Sequence, residues 1–192
     1  MGTIEPIAKS VFPADRALVF AGNEADRDLL GQVLRGAGFG TVAKAATVAE
    51  LINLGHARVP DLVAIDCGPD GVGHDALCRI RACSDTGFRR VPVLIVATLF
   101  SKADVARSRD GGVNLLLSKP LSVRLMRERL AWLSRVDRSF VVSSSYVGPD
   151  RRHSAASLPD GVTLDRRATD ATLLDGAVLS QEAVDSLFFV EG

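Results

Sequence analysis

The stretch Pro60-Asp61-Leu62-Val63-Ala64-Ile65-Asp66-Cys67-Gly68 limits the fold of this chain more than any other. A short apolar run ends on a carboxylate and is followed at once by turn residues: Gly68, Pro69, Asp70 and Gly71. A run of this length between turn signals suits a strand buried on both faces, as in a parallel sheet. Chemistry in open parallel sheets collects at the carboxyl ends of the strands, which is where Asp66 would stand. An ionised carboxylate beside a core is costly unless it is paired or used. The plain alternative is that Asp66 only caps the turn that follows.

The other elements are read from periodicity. Ala17–Phe20 is a first strand, and Glu24–Ala37 a helix with Leu29, Leu30, Val33 and Leu34 at helical spacing. Thr41–Ala45 is a weak strand. Thr47-Val48-Ala49-Glu50 has the capping-box pattern and opens a helix through Leu51, Ile52 and Leu54. After the Asp66 strand comes a helix from His74 to Cys83. Val91–Thr98 is a fourth strand, Ser101–Asp110 a capped helix, Val113–Leu117 a fifth strand and Ser122–Arg135 a last helix. Five strands alternating with five helices imply parallel crossovers and an α/β, doubly wound sheet. Residues 1–15 are a lead-in, 16–135 the domain, and 136–192 a C-terminal extension.

Several classes are disfavoured by composition. The chain has 192 residues, a net charge of zero and no apolar run long enough to cross a bilayer. Neither a secretory signal nor a zinc-ligand spacing is present, so Cys67, Cys78 and Cys83 read as reduced packing thiols and a cytoplasmic location is expected. The histidines (His56, His74, His153) read as surface residues. Residues 1–135 carry 18 basic against 14 acidic side chains, and residues 136–192 carry 5 against 9. That balance does not support a DNA-binding patch.

Three strand-end residues line up on one sheet edge: Asp66, Thr98 and Lys119. A carboxylate, a hydroxyl and an ammonium are the parts needed to accept a phosphoryl group. Together, Asp61-Leu-Val-Ala-Ile-Asp66, Val91-Pro-Val-Leu-Ile-Val-Ala-Thr98 and Gly111-Gly-Val-Asn-Leu-Leu-Leu-Ser-Lys119-Pro120 make residues 16–135 resemble a response-regulator receiver (CheY-like) domain, with its receiver/flavodoxin-like fold. The resemblance implies that Asp66 is the phosphoacceptor, with Thr98 and Lys119 as phosphoryl and switch contacts. It also implies output through the face around the fourth and fifth strands and last helix.

The chain departs from that family after its first strand. The two adjacent acids that hold Mg²⁺ there are replaced by Ala21-Gly22-Asn23. Three carboxylates and a lysine attract a hard dication through oxygen ligands, whereas Asp66 and Lys119 alone make a neutral pair. Glu24 lies nearby; Asp26 is expected to face outward from the start of its helix. Leu116 stands where the family usually has an aromatic switch residue. The expectation is a degenerate receiver, with Mg²⁺ lost and Asp66 vestigial.

The extension repeats Asp150-Arg151-Arg152 as Asp165-Arg166-Arg167. One reading is a linker whose charges pair among themselves. The other follows from guanine: arginine donates to O6 and N7, guanidinium stacks on bases, and a carboxylate accepts from N1–H and the 2-amino group. This tail resembles the arginine-rich extension of CheY-like cyclic di-GMP effectors. Phe140-Val141-Val142 suits an added edge strand or a patch packed on the last helix. Ser180 can cap a terminal helix through Val184, Leu187 and Phe188, which docks a partner or folds back to cover a groove. The expected function is a non-enzymatic bacterial signalling protein that binds a partner protein, either a flagellar-motor component or a member of a histidine-kinase pathway. Its rivals are a working phosphoacceptor and an inert adaptor.

Overall fold

A computed structural model describes residues 15–68, 70–135, 139–143, 145–150 and 179–190. Five parallel strands form one sheet in the order β2-β1-β3-β4-β5: β1 (Arg16–Phe20), β2 (Thr41–Ala45), β3 (Leu62–Asp66), β4 (Val93–Ala97) and β5 (Leu115–Ser118). Every residue of β3 and β4 is buried, as continuous apolar runs in a two-sided parallel sheet must be. The strand order reverses between β1 and β3, which opens a crevice beside the carboxyl end of β3.

The helices are α1 (Glu24–Ala37), α2 (Val48–Ala57), α3 (Val72–Arg81), α4 (Thr86–Arg90), α5 (Lys102–Asp110) and α6 (Val123–Arg135). α1 packs beside α6, whereas α2 packs on α3 and α3 on α5, so the sheet is covered on both faces. The Ser101–Asp104 capping box forms in full at the start of α5. At α2, Thr47 caps the amide of Glu50, but Glu50 reaches back one residue further than expected, to the amide of Ala46.

Several expectations need correction. The third helix spans Val72–Arg81, starting and ending two residues before the range read from periodicity. The short α4 is an addition to the five helices read from periodicity; Asp85 caps its first turn and Phe88 anchors it in the core. Leu29 is exposed, so the apolar stripe of α1 is narrower than its leucines suggest. Cys78 is exposed, and His74 is buried rather than on the surface.

Phe140–Val142 neither joins the sheet nor packs along α6. It is β6, paired antiparallel with β7 (Val147–Pro149). Buried Arg81 holds this hairpin at the amino end of the main sheet, with its guanidinium 5.5 Å from the Phe140 ring centroid. Gly112 makes the approach possible: its φ of +82° and the closeness of the Val147 carbonyl both exclude a side chain.

The terminal helix α7 (Gln181–Val190) folds back on the domain, packing on α5 and β5. Phe189 also meets Trp132 of α6 edge-on, at 5.3 Å between ring centroids. β5 is the last strand of the sheet, and its outer backbone groups would otherwise face solvent. The Gln181 side-chain amide serves them as a strand would: its Oε1 accepts from Ser118 N–H at 2.6 Å, and its Nε2 donates to the Leu116 carbonyl at 3.2 Å. No helix among the described residues is long and apolar enough to cross a membrane.

Candidate functional site

β3 ends on Asp66, β4 runs out at Ala97 just before Thr98, and β5 ends one residue before Lys119. All three side chains line a single cavity of about 640 Å³ at the carboxyl edge of the sheet. Lys119 Nζ lies 2.6 Å from Asp66 Oδ2, an ion pair whose alignment is poor for a hydrogen bond. Thr98 is exposed on the rim, and the Lys119–Pro120 peptide is cis.

Asp26 does not face outward. It occupies the third position of α1, where Asn23 caps its amide at 2.8 Å and Asn23 Nδ2 bonds Asp26 Oδ2. This reciprocal cap turns the carboxylate back toward the sheet, and Asp26 Oδ1 accepts from Lys119 Nζ at 2.6 Å. The ammonium therefore bridges two carboxylates. Glu24 is exposed and does not line the cavity.

Arg27 joins the site without a sequence signal of its own. Its Nη1 donates to the Ala21 carbonyl at 2.7 Å and contacts that of Gly22 at 3.3 Å. A guanidinium thus covers the backbone of the two positions where the receiver pattern has acids. Asp26 and Asp66 are balanced by Arg27 and Lys119, so that four-residue cluster is neutral; Asp70 and Asp104 also line the cavity, together with Arg107, but accept from the Val72 and Ser101 amides.

Burial raises the pKa of Asp66 above the ordinary carboxylate range, more than Lys119 lowers it. Asp26 is shifted the other way, chiefly by its hydrogen bond from Lys119 and then by that from Asn23. Burial works against charge on Lys119, but its hydrogen bond to Asp26 and its ion pair with Asp66 outweigh that and raise its pKa. Asp26 is thus the carboxylate that stays ionised, with Asp66 the one closer to protonation.

A second polar chain lines the cavity wall. Cys67 Sγ is 3.1 Å from His74 Nδ1, and His74 Nε2 is 2.9 Å from Ser108 Oγ on α5. Burial pushes the Cys67 thiol up to about 11, which leaves it a weak nucleophile. The same burial, aided by the charge of Arg107, lowers the His74 pKa, so the imidazole is neutral in the fold. The unfolded chain therefore takes up a proton at His74 before the folded one does. His74 contributes stability that is complete above its unfolded pKa of about 6.5 and is lost as pH falls toward the folded value. The His74 share of the stability is expected to fall on acidification from pH 7 to 5, by at most about 1.4 kcal/mol per pH unit for the single proton, against the opposite contribution of Asp66, whose raised pKa lets the folded chain take up a proton first. His74→Gln should flatten that profile; an unchanged slope in the variant would assign the acid sensitivity to other groups.

Among the described residues, no group of three or more His, Cys, Asp or Glu side chains is arranged to hold a metal ion. Of the tail's expected nucleotide ligands only Asp150 is described, its amide bonded to the Ser139 carbonyl at 2.7 Å beside the hairpin. Arg151, Arg152, Asp165, Arg166 and Arg167 lie outside the described residues.

Comparison with known proteins agrees with the fold. The family model described as "Response regulator receiver domain" matches residues 18–131. The chain is 34% identical over 95 residues to the transcriptional regulatory protein PdtaR of Mycobacterium tuberculosis, covering 49% of this chain and 44% of that protein. It is 30% identical over 144 residues to the KDP operon transcriptional regulatory protein KdpE of Escherichia coli, covering 74% and 54%. The chain thus spans about half the length of these curated relatives. The polar-differentiation response regulator DivK of Brucella ovis is 27% identical over 107 residues, covering 55% and 85%. Among solved structures, the chemotaxis response regulator CheY4 of Vibrio cholerae superposes with a TM-score of 0.54 at 19% identity, covering 62% of this chain and 98% of that one. A receiver domain of a histidine kinase from Syntrophus aciditrophicus gives 0.54 at 21%, covering 69% and 100%. At these identities the two structures establish the fold alone.

Proposed function

Because the chain belongs to the response regulator receiver domain family, we propose that it is a signalling receiver whose state is not set by magnesium-dependent phosphorylation of Asp66. It works by binding a partner protein, and its tail is the regulated segment. The observation that carries this reading is the neutral cluster of Asp26, Asp66, Arg27 and Lys119. Phosphoryl transfer to a carboxylate needs positive charge brought in by a metal, and the metal needs a negative, oxygen-rich seat. Here Lys119 already spans the two carboxylates, and Arg27 covers the carbonyls at the metal side. The residues present do not fit Mg²⁺.

Incubation with acetyl phosphate and Mg²⁺ tests this. The intact mass of the wild type should stay unchanged. A phosphoryl gain that disappears in Asp66→Asn would establish the rival, a working phosphoacceptor.

The proposal assigns the input to cyclic di-GMP, taken up by Asp150, Arg151, Arg152, Asp165, Arg166 and Arg167. Two Asp-Arg-Arg units match two guanines, each arginine offering a planar fork to O6 and N7. Asp150 stands beside the hairpin at the amino end of the sheet, so the first unit starts away from the Asp66 cavity. Isothermal titration should give binding at micromolar nucleotide in the wild type and at least about a ten-fold loss in Arg151→Ala and in Arg166→Ala, the size of one good bidentate contact. Absence of heat in the wild type would remove the nucleotide from the proposal.

A further inference from the structure

Beside the Asp66–Lys119 pair, the cavity wall carries a thiol in contact with a base. Cys67 follows β3 directly and lines the cavity; behind it stand His74 and Ser108, both buried. The His74 ring bonds the backbone of Asp104 as well as Ser108 Oγ, and both residues belong to α5. A backbone carbonyl only accepts, so the ring proton sits on Nε2, toward α5. Nδ1 then keeps its lone pair, and the Cys67 thiol donates to it over 3.1 Å. α3 begins against the same sulfur: a side chain at Gly73 would stand 2.9 Å from Sγ, and the His74 backbone N–H favours negative charge there. A nucleophile, a base and a buried group that orients the base are the parts of a thiol site.

Where charge is tolerated decides what this thiol can react with. Burial and the carboxylates of Asp104, Asp66 and Asp70 hold it protonated, while burial and the charge of Arg107 keep the imidazole neutral. Reactions that start from a free thiolate are slow here. A displacement that leaves the proton on His74 ends with a charge in a buried place. Conjugate addition avoids both. As Sγ bonds to the β-carbon of an α,β-unsaturated carbonyl compound, Nδ1 takes the S–H proton and the C=C electron pair moves toward the carbonyl oxygen. The proton then passes from His74 to the α-carbon. The site starts and ends neutral, with no oxidant, reductant or leaving group. Arg107 lines the same cavity and opposes the negative charge that passes through the oxygen.

We propose that Cys67 is a covalent modification site for a compact α,β-unsaturated carbonyl compound, with His74 as its general base. The cavity of about 640 Å³ takes a single-ring compound, and Phe20, Val72, Leu99 and Phe100 give it apolar walls. The adduct occupies the space lined by Asp66, Thr98 and Lys119 and breaks the Cys67–His74 contact, which joins the end of β3 to α5 through Ser108. It is therefore an input to the domain that needs neither phosphate nor metal, and it is separate from the tail.

The test compares N-ethylmaleimide, a compact conjugate acceptor, with iodoacetamide, which reacts by displacement. Both are applied to the full-length wild type, and labelling is read cysteine by cysteine in peptide mass spectra. Exposed Cys78 is the internal reference. The ratio of Cys67 to Cys78 labelling should be at least about ten-fold higher with the maleimide, the low end of what a positioned base contributes. Between pH 7 and 9 the Cys67 rate should change less than about three-fold, whereas unassisted attack rises about ten-fold per pH unit below the thiol pKa. His74→Gln should slow Cys67 at least about ten-fold at pH 7 and leave Cys78 unchanged. Equal ratios for the two reagents would overturn the class of electrophile. A ten-fold rise per pH unit at Cys67 in the wild type, or an undiminished rate in His74→Gln, would remove the base. An unlabelled Cys67 beside a labelled Cys78 would overturn the site itself. If His74→Gln fails to fold, the reagent ratio and the pH slope of the wild type still decide.

Discussion

The double variant Gly22→Asp/Arg27→Asn is expected to take up a phosphoryl group on Asp66 from acetyl phosphate in the presence of Mg²⁺, where the wild type takes up none. The change converts a neutral cluster into one with a net charge of −2: the introduced carboxylate joins Asp26 and Asp66, and only Lys119 remains to oppose them. A hard dication with several retained waters seeks that combination. The position is open, because a Cβ at Gly22 would meet nothing within 4 Å. Removing Arg27 uncovers the carbonyls of Ala21 and Gly22, which are further oxygen donors. The phosphorylated fraction, read by intact mass, should rise from none to at least about ten times the detection limit, since the metal supplies both template and charge neutralisation. It should vanish when Asp66→Asn is added or when EDTA replaces Mg²⁺. If the double variant stays unlabelled, loss of the acid pair is not what silences this site. If the wild type is labelled equally well, the site was never silent.

Arg81→Ala is expected to cost roughly 3–5 kcal/mol of stability, the range for breaking a buried charged network. The side chain is 4% exposed and has no carboxylate partner; all its N–H groups meet neutral acceptors instead. Nε and Nη2 donate to the Gly112 carbonyl, Nη2 also to Asn114 Oδ1, and Nη1 to the carbonyls of Arg89 and Val91. One guanidinium thereby joins α3, the α4–β4 connection and the start of β5. Burial without a counter-charge lowers its pKa to about 10, so it stays charged at neutral pH. Removing it leaves several buried carbonyls unmet, each worth about 1–3 kcal/mol. Arg81→Lys should be nearly as damaging, because one ammonium cannot reach the same acceptors. Urea denaturation of both variants checks this; a loss below about 1 kcal/mol would mean that water replaces the guanidinium.

Much of the candidate site was legible in the primary structure. Asp66, Thr98 and Lys119 each follow an apolar run, and a strand buried on both faces ends where its first polar residue reaches the sheet edge. The pairing of Lys119 with Asp66 followed from the missing acids after the first strand, although Asp26 shares the same ammonium. Asp26 departs from its expected outward direction because helical spacing says which face a residue lies on, not where a first-turn carboxylate turns once capped. The Asn23…Asp26 spacing was the available signal. Arg27 left no such trace: its partners are backbone carbonyls, and these carry no side-chain identity to read.

By itself, then, the amino-acid order determined the parallel sheet, its two helical layers, the carboxyl edge where Asp66, Thr98 and Lys119 gather and the missing acids, since each depends on local apolar period or residue type. Only the tertiary structure decided where the long charged and polar side chains ended. Arg27 covers the vacant acid positions, Arg81 replaces a counter-ion with carbonyls, Gln181 finishes the β5 edge, and Arg129 binds Asp185 from 56 residues away. A flexible side chain goes to whichever partner compensates its desolvation best, and such partners are set by three-dimensional packing rather than by sequence neighbours.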